Sequence, residues 1–314
     1  MGGRRHSGTR VDLSTSVGSL TLRSPVMTAS GTAGHGDELA AYVDLSTLGA
    51  VVVKSLSAEP WAGNPAPRVH ETPAGMINSV GLQGPGVRVW LEEELPAVLA
   101  TGATVVASIW GSTIDDYERA GELLRDAPSG VVAVEVNVSC PNHHDRNRMF
   151  AHAPHTTAEA VQAASVCGRP MWAKLSPNVS DLASIAAAAH TAGAEAVTLV
   201  NTVLGMSIDP ETRTYRLGNG GGGLSGPAIH PVAVRAVHDV SAAHPEIPII
   251  GVGGVARGVD AIELMMAGAC AVQVGTASFA DPRSVARVQE EIEHWCRDHG
   301  VVAVDELIGV VHGR

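Results

Sequence analysis

The chain predicts an α/β fold, a single (β/α)8 barrel with insertions on its C-terminal face. Three observations carry the prediction. Eight short apolar runs recur along the 314 residues, helical patterns separate them, and two Gly/Pro-rich stretches interrupt the alternation just after strand ends. Runs that are continuously apolar and only a few residues long fit strands buried on both faces, and strand-then-helix repetition builds a parallel barrel.

In chain order the predicted strands are SPVMTAS (24–30), AVVVKS (50–55), TVVASIW (104–110) and VAVEVNVS (132–139). MWAKLS (171–176), AVTLVN (196–201), IPIIGVGG (247–254) and AVQVGTA (271–277) complete the eight. Between them, DDYERAGELLRDA opens with acidic residues in its first turn. SDLASIAAAAHTAG begins on a Ser N-cap, and DPRSVARVQEEIEHWCRDHG has Pro near its start and Gly at its end. The competing arrangement is a Rossmann sheet, but no GxGxxG follows the first strand, so the TIM-type barrel is preferred. Residues 56–85 and 203–229, the latter with GNGGGG at 218–223, are too irregular for helix and too long for simple βα loops. Both follow strand ends and belong at the C-terminal mouth. Residues 1–19 read as a partly disordered N-terminal segment and 20–314 as the barrel, with no second domain.

Composition narrows the partners. Net charge is −11 with no sustained Lys/Arg run, which disfavours nucleic acid and anionic membrane. No apolar run approaches the ~20 residues of a membrane-spanning helix, and MGGRRHSGTR is too short and polar for a signal peptide. Cys140, Cys167, Cys270 and Cys296 are scattered with no CxxC pair, so neither an iron–sulfur cluster nor a zinc ribbon is encoded. A cytoplasmic setting is expected, and no metal site.

The chemistry concentrates where strands should end. Lys54 and Lys174 end buried strands, which is costly unless each meets an anion or polar ring; one such Lys would fit a structural ion pair, whereas two facing one mouth favour a ligand. GVGG and VGTA close the seventh and eighth strands, where barrels most often hold phosphate, because glycine lets backbone N–H groups approach an anion. Asn78, Asn137, Asn142 and Asn201 each offer a donor and an acceptor, as a flat ring with alternating C=O and N–H requires, although Asn also favours turns. Cys140 lies just past a strand among polar neighbours, unlike the other three cysteines, which read as small buried hydrophobes. Its thiol is a candidate base, or a nucleophile served by His143 or His144. A metal site at His143, His144 and Asp145 is weaker, since adjacent side chains diverge.

Together these motifs resemble one family. NVSCPN, KSLSAEPWAGNPAPR, GMINSVGLQGPG, AKLSPNVSD, NTVLGM, GGLSGPAIHP, GVGGV and VGTASFADP resemble class 1 dihydroorotate dehydrogenases, most of all the B branch, in a match that runs in the family's order from about Leu20 to about Pro282. The resemblance implies an FMN across the barrel mouth, its phosphate on Gly253, Gly254, Gly275 and Thr276. It implies Ala29, Ser30 and Gly31 along the isoalloxazine, with Ser225 and Gly226 nearby. Lys174 would sit at the flavin N1/O2 edge, Lys54 would contact both flavin and substrate, and Ser55 would support it. Asn78, Asn137, Asn142, Asn201 and Thr202 would hold the pyrimidine ring, with backbone of Val80, Gly81 and Leu82 near its carboxylate; Asn137 and Asn201 would also border the cofactor. Cys140 would remove the C5 proton of dihydroorotate while a hydride leaves C6 for flavin N5. A homodimeric core and an FAD/iron–sulfur electron-transfer subunit are the implied partners.

The chain departs from the family pattern in the lid HHDRNRMFAHAP, which is rich in His and Arg and lacks Gly, and at Gly84, where Asn is common. The lid keeps open a related flavoenzyme acting on another dihydropyrimidine or cyclic amide. A non-redox isomerase or lyase holding a phosphorylated substrate on the same glycines is the alternative of a different class.

Overall fold

A computed structural model describes residues 11–139 and 150–313. Each of the eight predicted runs forms a strand of one parallel sheet. In chain order they are β1 (Val26–Thr28), β2 (Val51–Val52), β3 (Val105–Ile109), β4 (Val131–Asn137), β5 (Met171–Lys174), β6 (Ala196–Leu199), β7 (Ile249–Val252) and β8 (Ala271–Val274). The sheet runs in the order β1-β8-β7-β6-β5-β4-β3-β2, and a parallel bridge between Met27 and Ala50 closes it into a barrel.

Side-chain alternation divides the core in two. Val26, Val51, Val105, Val134, Ala173, Val197, Ile249 and Val272 pack outward in one continuous cluster with the helices. Their neighbours Met27, Val52, Val106, Ala133, Trp172, Ala196, Ile250 and Ala271 form a second cluster inside the barrel, closed by Val17 and Leu22. Those two residues come from an antiparallel hairpin, Thr15–Val17 with Leu20–Leu22. The expected domain start at residue 20 falls inside this hairpin, and Asp12 extends the ordered chain further by bridging Ala303.

Helices follow seven of the strands; after β1 the chain makes only short turns, Glu38–Ala41 and Leu45–Thr47. Helix Ile114–Leu124 is fixed by a capping box: Thr113 accepts from Asp116 N at 3.2 Å, and the Asp116 carboxylate accepts from Thr113 N at 2.9 Å. Helix Leu182–Thr191 is capped by Asp181 rather than Ser180, because its carboxylate accepts both the N–H of Ser184 at 3.0 Å and its hydroxyl at 2.5 Å. Helix Ser284–His299 ends on Gly300 at φ +73°, as its sequence predicts.

The two insertions meet each other. Strands Val203–Met206, Gly221–Ser225, Gly75–Asn78 and Val69–Thr72 form one antiparallel sheet in that order beside the mouth. The stretches that read as irregular are therefore ordered by pairing across the two insertions. Gly223 is required for the close approach: a Cβ there would lie 2.0 Å from Thr202 Oγ1.

Candidate active site

Two residues beyond the apolar interior layer, the same strands turn polar. Ser108, Glu135, Lys174, Thr198 and Gln273 are all buried, at inward positions directly below the mouth. Above them opens a cavity of ≈ 1040 Å³, at the upper edge of small-molecule sites and roomy enough for a cofactor and a substrate together.

Of the residues singled out from sequence, Cys140 and Asn142 lie outside the described residues, as do His143, His144 and Asp145. All nineteen other expected site residues line this one cavity. A hydroxyl and amide network holds the polar wall in register. Ser55 Oγ lies 3.0 Å from Ser30 Oγ and 2.9 Å from Ser108 Oγ, and Asn137 Nδ2 donates to it at 3.2 Å. Asn201 Nδ2 donates to Asn137 Oδ1 at 3.3 Å, while Asn201 Oδ1 accepts from Thr202 N at 2.7 Å. Beneath Asn137, the buried Tyr117 hydroxyl donates to its carbonyl at 2.9 Å. Asn78, on the insertion sheet, donates to Gly223 O at 3.3 Å.

Lys54 and Lys174 approach the cavity from opposite sides of the barrel. The Lys54 ammonium would lie 3.3 Å from a Cβ on Gly31, so the glycine leaves it room. Burial, then the Lys54 charge, hold the nearby His35 imidazole below its ordinary pKa, against an upward push from Glu38. Gly84, the departure noted in the sequence, borders the same histidine: a Cβ there would sit 3.3 Å from His35 Nε2. Lys174 meets Glu135 at 3.7 Å, so the structural ion pair weighed for a single lysine does exist here, at a position that also faces the cavity.

The other end of the cavity carries the two glycine-rich strand ends. Gly254 adopts φ +72°, and a Cβ there would lie 2.6 Å from His230 Cβ and 3.0 Å from Gly226 O. His230 Nδ1 donates to Gly253 O at 2.8 Å and fixes the turn. Among the described residues no acceptor faces the N–H groups of Gly254 and Val255, which suits a phosphate. Thr276 Oγ1 donates to Ser225 Oγ at 2.8 Å and ties the eighth strand end to the insertion sheet.

Sequence reasoning missed several lining residues. Arg287 reaches the Gly253–Gly254 end from helix Ser284–His299, paired with Asp281 and donating to Ala256 O at 3.3 Å. No motif marks it. Asn178 lines the other end, its Nδ2 on Ser176 Oγ at 2.9 Å and on Thr202 O at 3.0 Å, and AKLSPNVSD did contain it. Glu135, below the cavity rather than in its lining, was signalled by its spacing, since Ala133, Glu135 and Asn137 share the inward face. The last part of the expected lid is not open loop. Phe150 is buried edge-on to Tyr117 with ring centroids 5.5 Å apart, His152 lines the cavity, and a helix begins at Pro154.

Among the described residues no group of three His, Cys, Asp or Glu is placed to hold a metal, and no helix is long and apolar enough to cross a membrane.

A parallel barrel with a large cavity, set with polar groups, at the carboxyl ends of its strands defines a (β/α)8 enzyme of the ligand-in-the-mouth class. Comparison with known proteins makes this particular. The dihydroorotate dehydrogenase family model matches residues 12–296, and the chain belongs to that family. Among its relatives, the "Dihydroorotate dehydrogenase B (NAD(+)), catalytic subunit" of Geobacter sp. (strain M21) is 46% identical over 303 residues, covering 96% of this chain and 99% of the relative. The protein of the same name in Desulforudis audaxviator is 48% identical over 305 residues, covering 96% and 98%. That of Geobacter sulfurreducens is 44% identical over 303 residues, with the same two coverages.

Proposed function

We propose that this chain is the catalytic subunit of a B-type dihydroorotate dehydrogenase, oxidising dihydroorotate to orotate in pyrimidine biosynthesis with FMN as its cofactor. The observation that carries the reading is the convergence of nineteen expected site residues on one cavity. The cavity fits the cofactor on its own terms: its volume, the unengaged N–H groups at Gly254 and Val255, and the room that Gly254 leaves against His230.

When bound, FMN supplies a hydride acceptor at N5 for the hydrogen on substrate C6. The chain's residues do the rest. Gly253, Gly254, Gly275 and Thr276, with Arg287 alongside, would hold the phosphate. Ala29, Ser30, Gly31, Ser225 and Gly226 would border the ring system, and Lys174 would serve its pyrimidine edge. Asn78, Asn137, Asn142, Asn201 and Thr202 read the carbonyl and N–H groups of the substrate, with the backbone of residues 80–82 beside its carboxylate. Lys54 bridges the two. Cys140 takes the C5 proton on its sulfur, and Ser55 steadies both Lys54 and Asn137. A partner subunit carrying FAD and an iron–sulfur centre would supply the onward route for the electrons to NAD+.

Steady-state turnover of the FMN-loaded chain with an artificial acceptor tests this. Dihydroorotate is expected to be the best substrate in a panel with dihydrouracil and hydantoin, and NAD+ is expected to be a poor acceptor for the isolated chain. Preference for another ring overturns the substrate, and rapid reduction of NAD+ overturns the need for a partner.

A further inference from the structure

The interior of the barrel holds a carboxylate that neither substrate binding nor proton removal uses. Glu135 is fully buried, below the mouth and two residues before Asn137. Its Oε2 accepts from Gln273 Nε2 at 2.7 Å and from Thr198 Oγ1 at 3.1 Å. Its Oε1 has no hydrogen-bond partner among the described residues and faces Lys174 Nζ at 3.7 Å.

A buried carboxylate is a poor way to stabilise a barrel. Desolvation costs several kcal/mol per ion, and apolar residues of similar volume usually do as well or better. The layer beneath shows that this interior accepts apolar filling, since Trp172, Ala196 and Ala271 occupy it. The pair is also not closed. Charge-assisted N–H···O bonds run about 2.7–2.9 Å, and Lys174 stands well beyond that, with its side chain among the residues lining the cavity. The ammonium thus stands between a carboxylate below and the cavity above. A charge within 4 Å in a buried site is screened far less than the same charge in water.

We propose that Glu135 is a positioning residue for the cofactor, acting through Lys174. It anchors the ammonium from below and offsets part of the positive charge that Lys174 presents to the flavin's pyrimidine edge. It thereby holds the flavin reduction potential below the value an uncompensated lysine would give. Thr198 and Gln273 belong to the same device, because their donors draw negative charge towards Oε2 and away from Lys174. The inference rests on the reading of the cavity as an FMN site. Its test is therefore a property of bound flavin rather than turnover.

The experiment is the equilibrium reduction potential of FMN bound to the wild-type chain and to Glu135→Gln, measured against reference dyes. Loss of the carboxylate is expected to favour reduced flavin about tenfold at fixed potential, a shift of about +30 mV for a two-electron couple. Lys174→Met is expected to shift it the other way, and adding Glu135→Gln to Lys174→Met to move it no further. A role in folding alone lowers the melting temperature and leaves the potential where it was. An unchanged or lower potential in Glu135→Gln overturns the proposal, as does an equal shift in the Lys174→Met background. If Glu135→Gln does not fold, Thr198→Val decides: removing one donor from Oε2 is expected to lower the potential, and no shift overturns the proposal. A wild-type chain that takes up no FMN fails the functional reading itself, a different result from flavin bound at an unmoved potential.

Discussion

Asn201 donates through Nδ2 to Oδ1 of Asn137 at 3.3 Å, reaching across β5, which lies between their two strands. Asn137 Oδ1 also accepts from Ser139 N at 3.2 Å, and its Nδ2 is engaged by Ser55. The two amides therefore hold one another's orientation, and each leaves only part of its hydrogen-bonding capacity for a ligand. Asn201→Ala is expected to weaken orotate binding by about 1–3 kcal/mol, roughly 5- to 150-fold. Combined with Asn137→Ala the loss should be less than the sum, because the two share a bond. Titration of flavin absorbance with orotate reads both effects, and strict additivity would argue against the coupling.

Gly223 sets the distance between the insertion sheet and the substrate wall. Gly223→Ala places a methyl group 2.0 Å from Thr202 Oγ1 and 2.6 Å from its Cβ, so Thr202 must move. Overpacking of this kind costs about 1–3 kcal/mol. Orotate affinity is expected to fall about tenfold or more while FMN affinity stays near wild type. Unaltered orotate binding would show that Thr202 does not hold the ring.

The architecture was legible wherever burial is two-sided. Strands packed on both faces leave continuous apolar runs, and all eight were readable. The insertion sheet was not, because Asn78 and Gly223 are 145 residues apart and a run of glycines carries no inside–outside alternation. Glycines at the ends of β7 and β8 marked by position alone two strand ends that line the cavity. Glu135 was obscured by the valines around it, although its parity placed it inside. Arg287 was invisible, since one face of a late helix looks like any other until the fold brings it to the cavity.

His35 makes stability depend on pH. An unfolded histidine takes up its proton near pH 6.5, whereas burial first, and the Lys54 charge second, hold the folded ring lower. Below about 6.5 the unfolded chain binds more protons than the folded one, so stability falls as pH drops. Melting temperatures from pH 7.5 to 5.5 are expected to decline less steeply in His35→Gln than in wild type. Parallel curves would remove His35 from the effect.

The cysteines should divide into two classes. Burial pushes the Cys270 thiol up to about 12, with Cys167 and Cys296 raised for the same reason. Iodoacetamide on the native holoprotein at pH 8 is expected to modify Cys140 alone, more slowly with orotate present, as peptide mass analysis can show. Rapid modification of a second cysteine, or no protection by orotate, would contradict this assignment.

The central claim is that this chain by itself carries out the reductive half of the reaction. Anaerobic rapid mixing of the FMN-loaded chain with dihydroorotate, without partner subunit or acceptor, tests it most directly. Loss of the oxidised-flavin absorbance is expected, with one orotate released per flavin reduced. Flavin that stays oxidised under dihydroorotate, yet bleaches when dithionite is added, would contradict it.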